Sequence, residues 1–250
     1  MSDTAGSMGR GVSATAVGLI LVVSAYATLP AGFASGIQQG LSIPDDFMAW
    51  LFGDYVLGLS ILPLLGKRVV TRWGAKRTLL TAAMGFACAG LLGASATGRE
   101  VLFAARWLQG FFGMLLIVAS ASVLSVIRPP TSSARRTMEI GAILVGGLFL
   151  GVLMGYAAAP DMQWRWMFLP GIVAALAVLT LAGAVPIADS RRAGESPSLL
   201  AVVLATASLH CLVYGIIDGV TQGWWHPSTI ALLFCAPLVL IVARAASRVT

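Results

Sequence analysis

The chain has 250 residues, of which 58% are apolar and only 10% charged, with a mean hydropathy of +0.90. A soluble domain carries about 25% charged residues, so most segments here have no wet face, and soluble enzymes and nucleic-acid binders are excluded. The net charge of +6 is no argument for nucleic acid, because the basic residues gather in short stretches between apolar runs, the pattern that encodes membrane orientation. The composition points to an all-α polytopic membrane bundle.

A membrane-crossing helix needs about 20 mostly apolar residues. In chain order that window predicts eight spans, at 14–36, 49–65, 78–97, 101–125, 140–159, 166–185, 199–217 and 228–243. An amino-terminal tail at 1–13 precedes a six-helix bundle at 14–187, and a polar linker at 188–198 leads to two additional helices within 199–250. An even number of spans puts both termini on one face. That face carries Arg10, Lys67, Arg68, Arg72, Lys76, Arg77, Arg128, Arg135, Arg136, Arg191, Arg192, Arg244 and Arg248, whereas Arg99 and Arg165 lie on the other and Arg106 lies within a span. Basic residues mark the cytoplasmic side, so the expectation is a multi-pass protein of the plasma (inner) membrane with both termini cytoplasmic. A cleaved signal peptide ending at Ala25-Tyr26-Ala27 is the alternative for the first span, but the apolar run continues through Phe33.

Ionisable groups inside a bilayer are expensive and point to function. Arg106 and Gln109 share one face of the fourth span, and a guanidinium at that depth must meet a polar cavity, a carboxylate or the outer interface. Asp54, in the second span, is the natural partner, or else an aspartate wetted by an outer vestibule. Between the second and third spans a basic loop carries Lys67, Arg68, Arg72, Lys76 and Arg77, with Gly74 permitting a tight turn. Gly147, Gly151 and Gly155 recur every fourth residue, leaving a bare face for close helix approach. Trp164-Arg165-Trp166 is expected as an interfacial anchor. Cys88, Cys211, Cys235 and His210 stand at no metal-binding spacing and are expected as buried packing residues. No nucleophile elbow, phosphate loop or dinucleotide glycine pattern appears, so neither an enzyme nor a cofactor is expected.

The order of Trp50 to Tyr55, the basic Arg72-Trp73-Gly74-Ala75-Lys76-Arg77 stretch, Arg106-x-x-Gln109-Gly110, the glycine-rich fifth span and Trp164-Arg165-Trp166-Met167-Phe168 resembles the major facilitator superfamily. It is most similar to the fourteen-helix drug:proton antiporter branch. Asp218-Gly219 to Gly223-Trp224 resembles the outer loop between that branch's two extra central helices. The resemblance implies proton-coupled export of drug-like or amphipathic small molecules. Asp54 and Arg106 would couple proton and substrate, and Tyr55 and Gln109 would line the substrate cavity. Arg72, Gly74, Lys76 and Arg77 would form the cytoplasmic gate loop, and Gly147, Gly151 and Gly155 the antiporter-like moving contact. The chain departs from the family's pattern at three places: Thr71 stands where the family's gate carries an aspartate, Gly151-Val152 where it has Gly-Pro, and the first span lacks the usual acidic residue.

Transporters of this kind pair two six-helix halves around a midplane site. The chain accounts for the first half and two further helices, so a fragment or split product is expected, completed by a carboxy-terminal half or second subunit. The remaining expected partners are protons and the lipid bilayer, and the resemblance allows for a periplasmic adaptor. The alternatives are a proton-coupled metabolite importer and a non-transporting membrane subunit that regulates a partner transporter.

Overall fold

A computed structural model describes residues 2–60, 63–127, 132–184 and 199–246. They form ten α-helices, without a strand among the described residues: α1 (Ser2–Thr28), α2 (Ala34–Leu41), α3 (Asp45–Ser60), α4 (Pro63–Trp73), α5 (Ala75–Ala94), α6 (Arg99–Ile127), α7 (Ser133–Ala158), α8 (Leu169–Ala184), α9 (Leu199–Thr221) and α10 (Pro227–Ala246). A chain this apolar must satisfy its backbone polar groups within each segment, and the helix does that in lipid.

Helix ends follow local chemistry. Pro30, which has no N–H to offer, lies in a 3-10 turn at Leu29–Ala31 that ends α1. The first expected span, 14–36, is accordingly shorter: its apolar segment runs Gly11–Ala31, and the residues from Ala34 belong to α2. Gly74, with φ 89°, breaks α4 from α5 in a conformation that L side chains resist. The basic stretch expected as a loop is therefore mostly helix, with Arg72 in the last turn of α4 and Lys76 and Arg77 in the first turn of α5. Ser132 caps the start of α7, its hydroxyl accepting from the Arg135 N–H at 3.2 Å. The expected linker 188–198 lies outside the described residues.

Each of the eight expected spans falls largely on one helix. Among the described residues five segments are long and apolar enough to cross a membrane, namely Gly11–Ala31, Ala75–Ala94, Arg99–Ile127, Ala134–Ala158 and Val202–Thr221. Trp164–Thr180 and Pro227–Val242 are apolar but shorter.

α6 is the axis of the packing, touching α1, α3, α4 and α5, while α8 closes on α5 and α7 on α1. α9 packs against α3 and carries α10 beside it. Two glycine contacts set the spacing. At the α3–α6 crossing, a Cβ on Gly58 would strike the Trp107 carbonyl, and one on Gly110 would strike the Tyr55 carbonyl. Along α7, Gly147, Gly151 and Gly155 lie against Ser24, the Ala25 carbonyl and the Leu29 carbonyl of the α1 segment. Thr28 Oγ1 donates across this seam to the Leu148 carbonyl at 2.6 Å. Backbones this close gain dispersion and interhelical hydrogen bonds, which drive helix association where lipid supplies no hydrophobic force.

Gly146 lies on the same helix, where an added Cβ would meet nothing within 4 Å, which gives an internal control. Gly151→Ala should destabilise the folded chain in detergent by about 1–3 kcal/mol through overpacking. Gly146→Ala should leave the thermal midpoint unchanged or slightly raised, because alanine favours helix there by roughly 0.5–1 kcal/mol.

Candidate functional site

The site forms where α1, α3 and α6 meet. Gly110 lets the α3 backbone approach α6 so closely that the Tyr55 ring lies beneath Arg106, with the guanidinium carbon 4.3 Å from the ring centroid. Arg106 and Gln109 have no solvent exposure at all. Arg106 Nη2 donates to the Tyr26 carbonyl of α1 at 2.6 Å, and Nη1 donates to Gln109 Oε1 at 3.3 Å. Arg106 Nε and Gln109 Nε2 have no partner among the described residues. The Tyr55 hydroxyl donates to the Val23 carbonyl at 2.6 Å, which ties α3 to α1.

Tyr26 is the residue that sequence reasoning missed. Its hydroxyl donates to the carbonyls of Met167 and Phe168 at 2.8 and 3.0 Å and accepts from the Gly171 N–H at 2.5 Å. That N–H belongs to the first turn of α8, where amides have no helical partner, so Tyr26 caps α8 with its hydroxyl while holding Arg106 with its carbonyl. A signal was available, since a tyrosine within an apolar helix needs a polar partner for its O–H.

The expected Arg106–Asp54 pair does not form. No ion pair joins them among the described residues, and Asp54 is half-buried. The physical reason is helical geometry. Tyr55 faces α6, whereas the neighbouring face of α3 meets α9, with Trp50 5.0 Å from Tyr214, Gly53 against Ile217, and Ser60 Oγ 3.1 Å from His210 Nδ1. Full burial also overturns the alternative of an arginine reaching the outer interface.

Of the other expected site residues, Tyr55 and Gln109 are fully buried in this packing. Arg72 and Arg77 are exposed on either side of Gly74, and Lys76 is half-buried beside them. Gly147, Gly151 and Gly155 do not reach Arg106, yet Gly151 touches the Ala25 carbonyl, one residue before the carbonyl that Arg106 binds.

Three packing expectations change. Trp164 is 5% exposed and packed inside the bundle, so of the two tryptophans only Trp166, 52% exposed, has the position of an anchor. Cys88 and Cys235 are exposed and Cys211 is half-buried; on a membrane helix the outward face is itself apolar, so a thiol there need not be buried in protein. His210 does more than pack, since its Nδ1 also lies 2.9 Å from the Thr206 carbonyl.

Residues 14–246 match the Major Facilitator Superfamily. The chain belongs to that superfamily. Its members are transporters rather than enzymes, and this major facilitator chain is a multi-pass membrane protein. It is 29% identical over 215 residues to a puromycin resistance protein of Streptomyces alboniger, an alignment covering 85% of the chain and 42% of that protein. It is 29% identical over 215 residues to a probable actinorhodin transporter of Streptomyces coelicolor, covering 84% of the chain and 36% of the relative. With a tetracenomycin C resistance and export protein of Streptomyces glaucescens it shares 29% identity over 230 residues, covering 90% and 42%. The chain therefore spans about two fifths of the length of these relatives, at 42%, 36% and 42%.

Tyr26→Phe preserves the edge-on contact with Phe86, at 5.5 Å between ring centroids, while leaving the Gly171 N–H and the Met167 carbonyl without their partner. The expected loss is about 1–3 kcal/mol for buried groups left unsatisfied, read as a lower thermal midpoint of the purified chain. An unchanged midpoint would show that the hydroxyl does not hold α8.

Proposed function

We propose that this chain contributes the amino-terminal bundle of a proton-coupled secondary transporter that exports drug-like, amphipathic small molecules. The observation that carries the reading is a fully buried Arg106 whose three named partners are a backbone carbonyl, an amide and an aromatic ring, with no carboxylate among them. Such a cation is held by carbonyl and ring contacts, so any negative charge brought near it is strongly felt in the low dielectric. Efflux as the direction rests on the relatives, whose names speak of puromycin resistance and of tetracenomycin C resistance and export.

In this reading Asp54 is the carboxyl group that gains and loses the proton. Its charge would act on Arg106 from the neighbouring helix α3, and Arg106 in turn grips α1 at Tyr26. Ionised Asp54 would draw the guanidinium toward α3 and loosen that grip, and protonation would release it to the Tyr26 carbonyl, which biases α1 between two positions against α6. Tyr55 and Gln109 would line the substrate path once α1 and α6 part. The glycine face of α7 would let α1 slide, and Gly74 with Arg72, Lys76 and Arg77 would hinge the cytoplasmic end. Bundle rocking about a midplane site requires a second bundle, and relatives more than twice as long as this chain have room for one. Placement in the plasma (inner) membrane with cytoplasmic termini, and an adaptor on the opposite side, belong to the same proposal.

The test uses an assembly of the relatives' length in proteoliposomes, with ethidium as the exported probe and an imposed pH gradient as the driving force. Asp54→Asn should export ethidium at a rate that no longer follows the gradient, and Arg106→Gln should lose export altogether. Gradient-driven export by Asp54→Asn equal to that of the parent would remove Asp54 from the coupling.

A further inference from the structure

At the end of the bundle opposite Gly74, a cavity of about 470 Å3 opens between α2 and the connection from α7 to α8. It is of ligand size, and it is built around two stacked side chains. Trp164 lies along the glycine edge of α2: a Cβ on Gly40 would stand 2.7 Å from its Nε1, and one on Gly36 would stand 3.9 Å from its Cβ. Arg165 lies over the same indole with its guanidinium carbon 4.4 Å from the ring, and its Nη2 donates to the Ala96 carbonyl at 2.9 Å. The guanidinium is thereby fixed in direction, and among the described residues the rest of its donor fork has no hydrogen-bond partner.

Among the described residues Arg165 is the one charged residue lining the cavity. Among the described residues no ion pair involves it, and Asp161, the acidic group on its own connection, is exposed and outside the lining. The remaining walls divide between apolar surface from Phe33 and Met162 and neutral hydrogen-bonding groups of Ser35, Gln39 and Gln163. A half-buried, preoriented guanidinium is matched by the planar, bidentate acceptor of a carboxylate or by a phosphate. A cationic ligand would meet like charge with no carboxylate to offset it.

We propose that this cavity is a binding site for an amphiphilic anion, whose carboxylate or phosphate pairs with Arg165 and whose apolar body lies between Phe33 and Met162. The site is separate from the Arg106 cluster and independent of the direction or coupling of transport. A soluble organic acid and the headgroup of an anionic lipid share this chemistry.

The experiment uses the whole chain in nanodiscs of phosphatidylcholine, with naphthoate as the probe and naphthylmethylammonium as its cationic counterpart, each followed by equilibrium dialysis. Naphthoate should bind saturably and at least roughly tenfold more tightly than the ammonium compound, the worth of one good charge-assisted contact. Arg165→Gln should weaken naphthoate by a similar factor and leave the ammonium compound unchanged. Ser35→Trp, which fills the cavity without touching the Arg165 contact to Ala96, should abolish saturable binding even if Arg165→Gln fails to fold. Nanodiscs containing phosphatidylglycerol separate the two sources: competition with naphthoate identifies the lipid headgroup, and undiminished binding identifies a soluble acid. Equal binding of both probes, or naphthoate binding that survives Ser35→Trp, overturns the proposal.

Discussion

A guanidinium taken wholly out of water, with no carboxylate touching it, constrains how α1, α3 and α6 can meet. Removing an ion from water carries a penalty of several kcal/mol even after relaxation. Arg106 offsets it with a carbonyl from α1, an amide from its own helix and the face of Tyr55 from α3. Each contact comes from a different direction, so the three helices must arrive together. If one withdrew, the cation would be left under-solvated in a medium that cannot replace the lost partner.

The glycines are what make that convergence possible. Side chains at Gly58 and Gly110 would hold α3 and α6 apart, and the Tyr55 ring would then stand off from the guanidinium. On the other side of α1 the α7 glycines press on the carbonyls of Ala25 and Leu29. The segment of α1 around Ala25 and Tyr26 is thus held from both sides, by α7 through backbone contact and by α6 through the arginine. Tyr26 carries the constraint further, because the residue whose carbonyl takes Arg106 also caps α8 with its hydroxyl. Motion of α7 against α1 would reach the arginine through one residue of backbone, a coupling between packing and charge rather than a chain of side-chain contacts.

α9 and α10 stand apart from this convergence. They join through α3, where the Trp50–Tyr214 pair and the Ser60–His210 hydrogen bond form a mixed aromatic and polar seam. Asp54 lies on α3 between these two surroundings, with Tyr55 beside it turned to the arginine. At the end of α9, the Asp218 carboxylate accepts from the hydroxyls of Ser228 and Thr229. The turn into α10 is thereby closed by side chains from both of its ends.

Much of the architecture was legible because membrane helices follow from one-dimensional quantities. Apolar length located the helices, and the four-residue spacing of Gly147, Gly151 and Gly155 marked the face that meets α1. The Arg106-x-x-Gln109-Gly110 run marked residues that the fold buries where α3 and α6 cross. Partner choice was not legible. Asp54 looked like the counter-ion because it is the carboxylate within a neighbouring span, but adjacent helical residues point about 100° apart, and Tyr55 holds the inward position. Trp164 looked like an anchor by composition, and only the glycine edge of α2 drew it inside. The sequence by itself determined which segments leave water, because transfer free energy adds residue by residue along a helix. The tertiary structure alone decided what Arg106 and Arg165 hold, because a hydrogen bond or ring contact depends on distances between helices that no single helix contains.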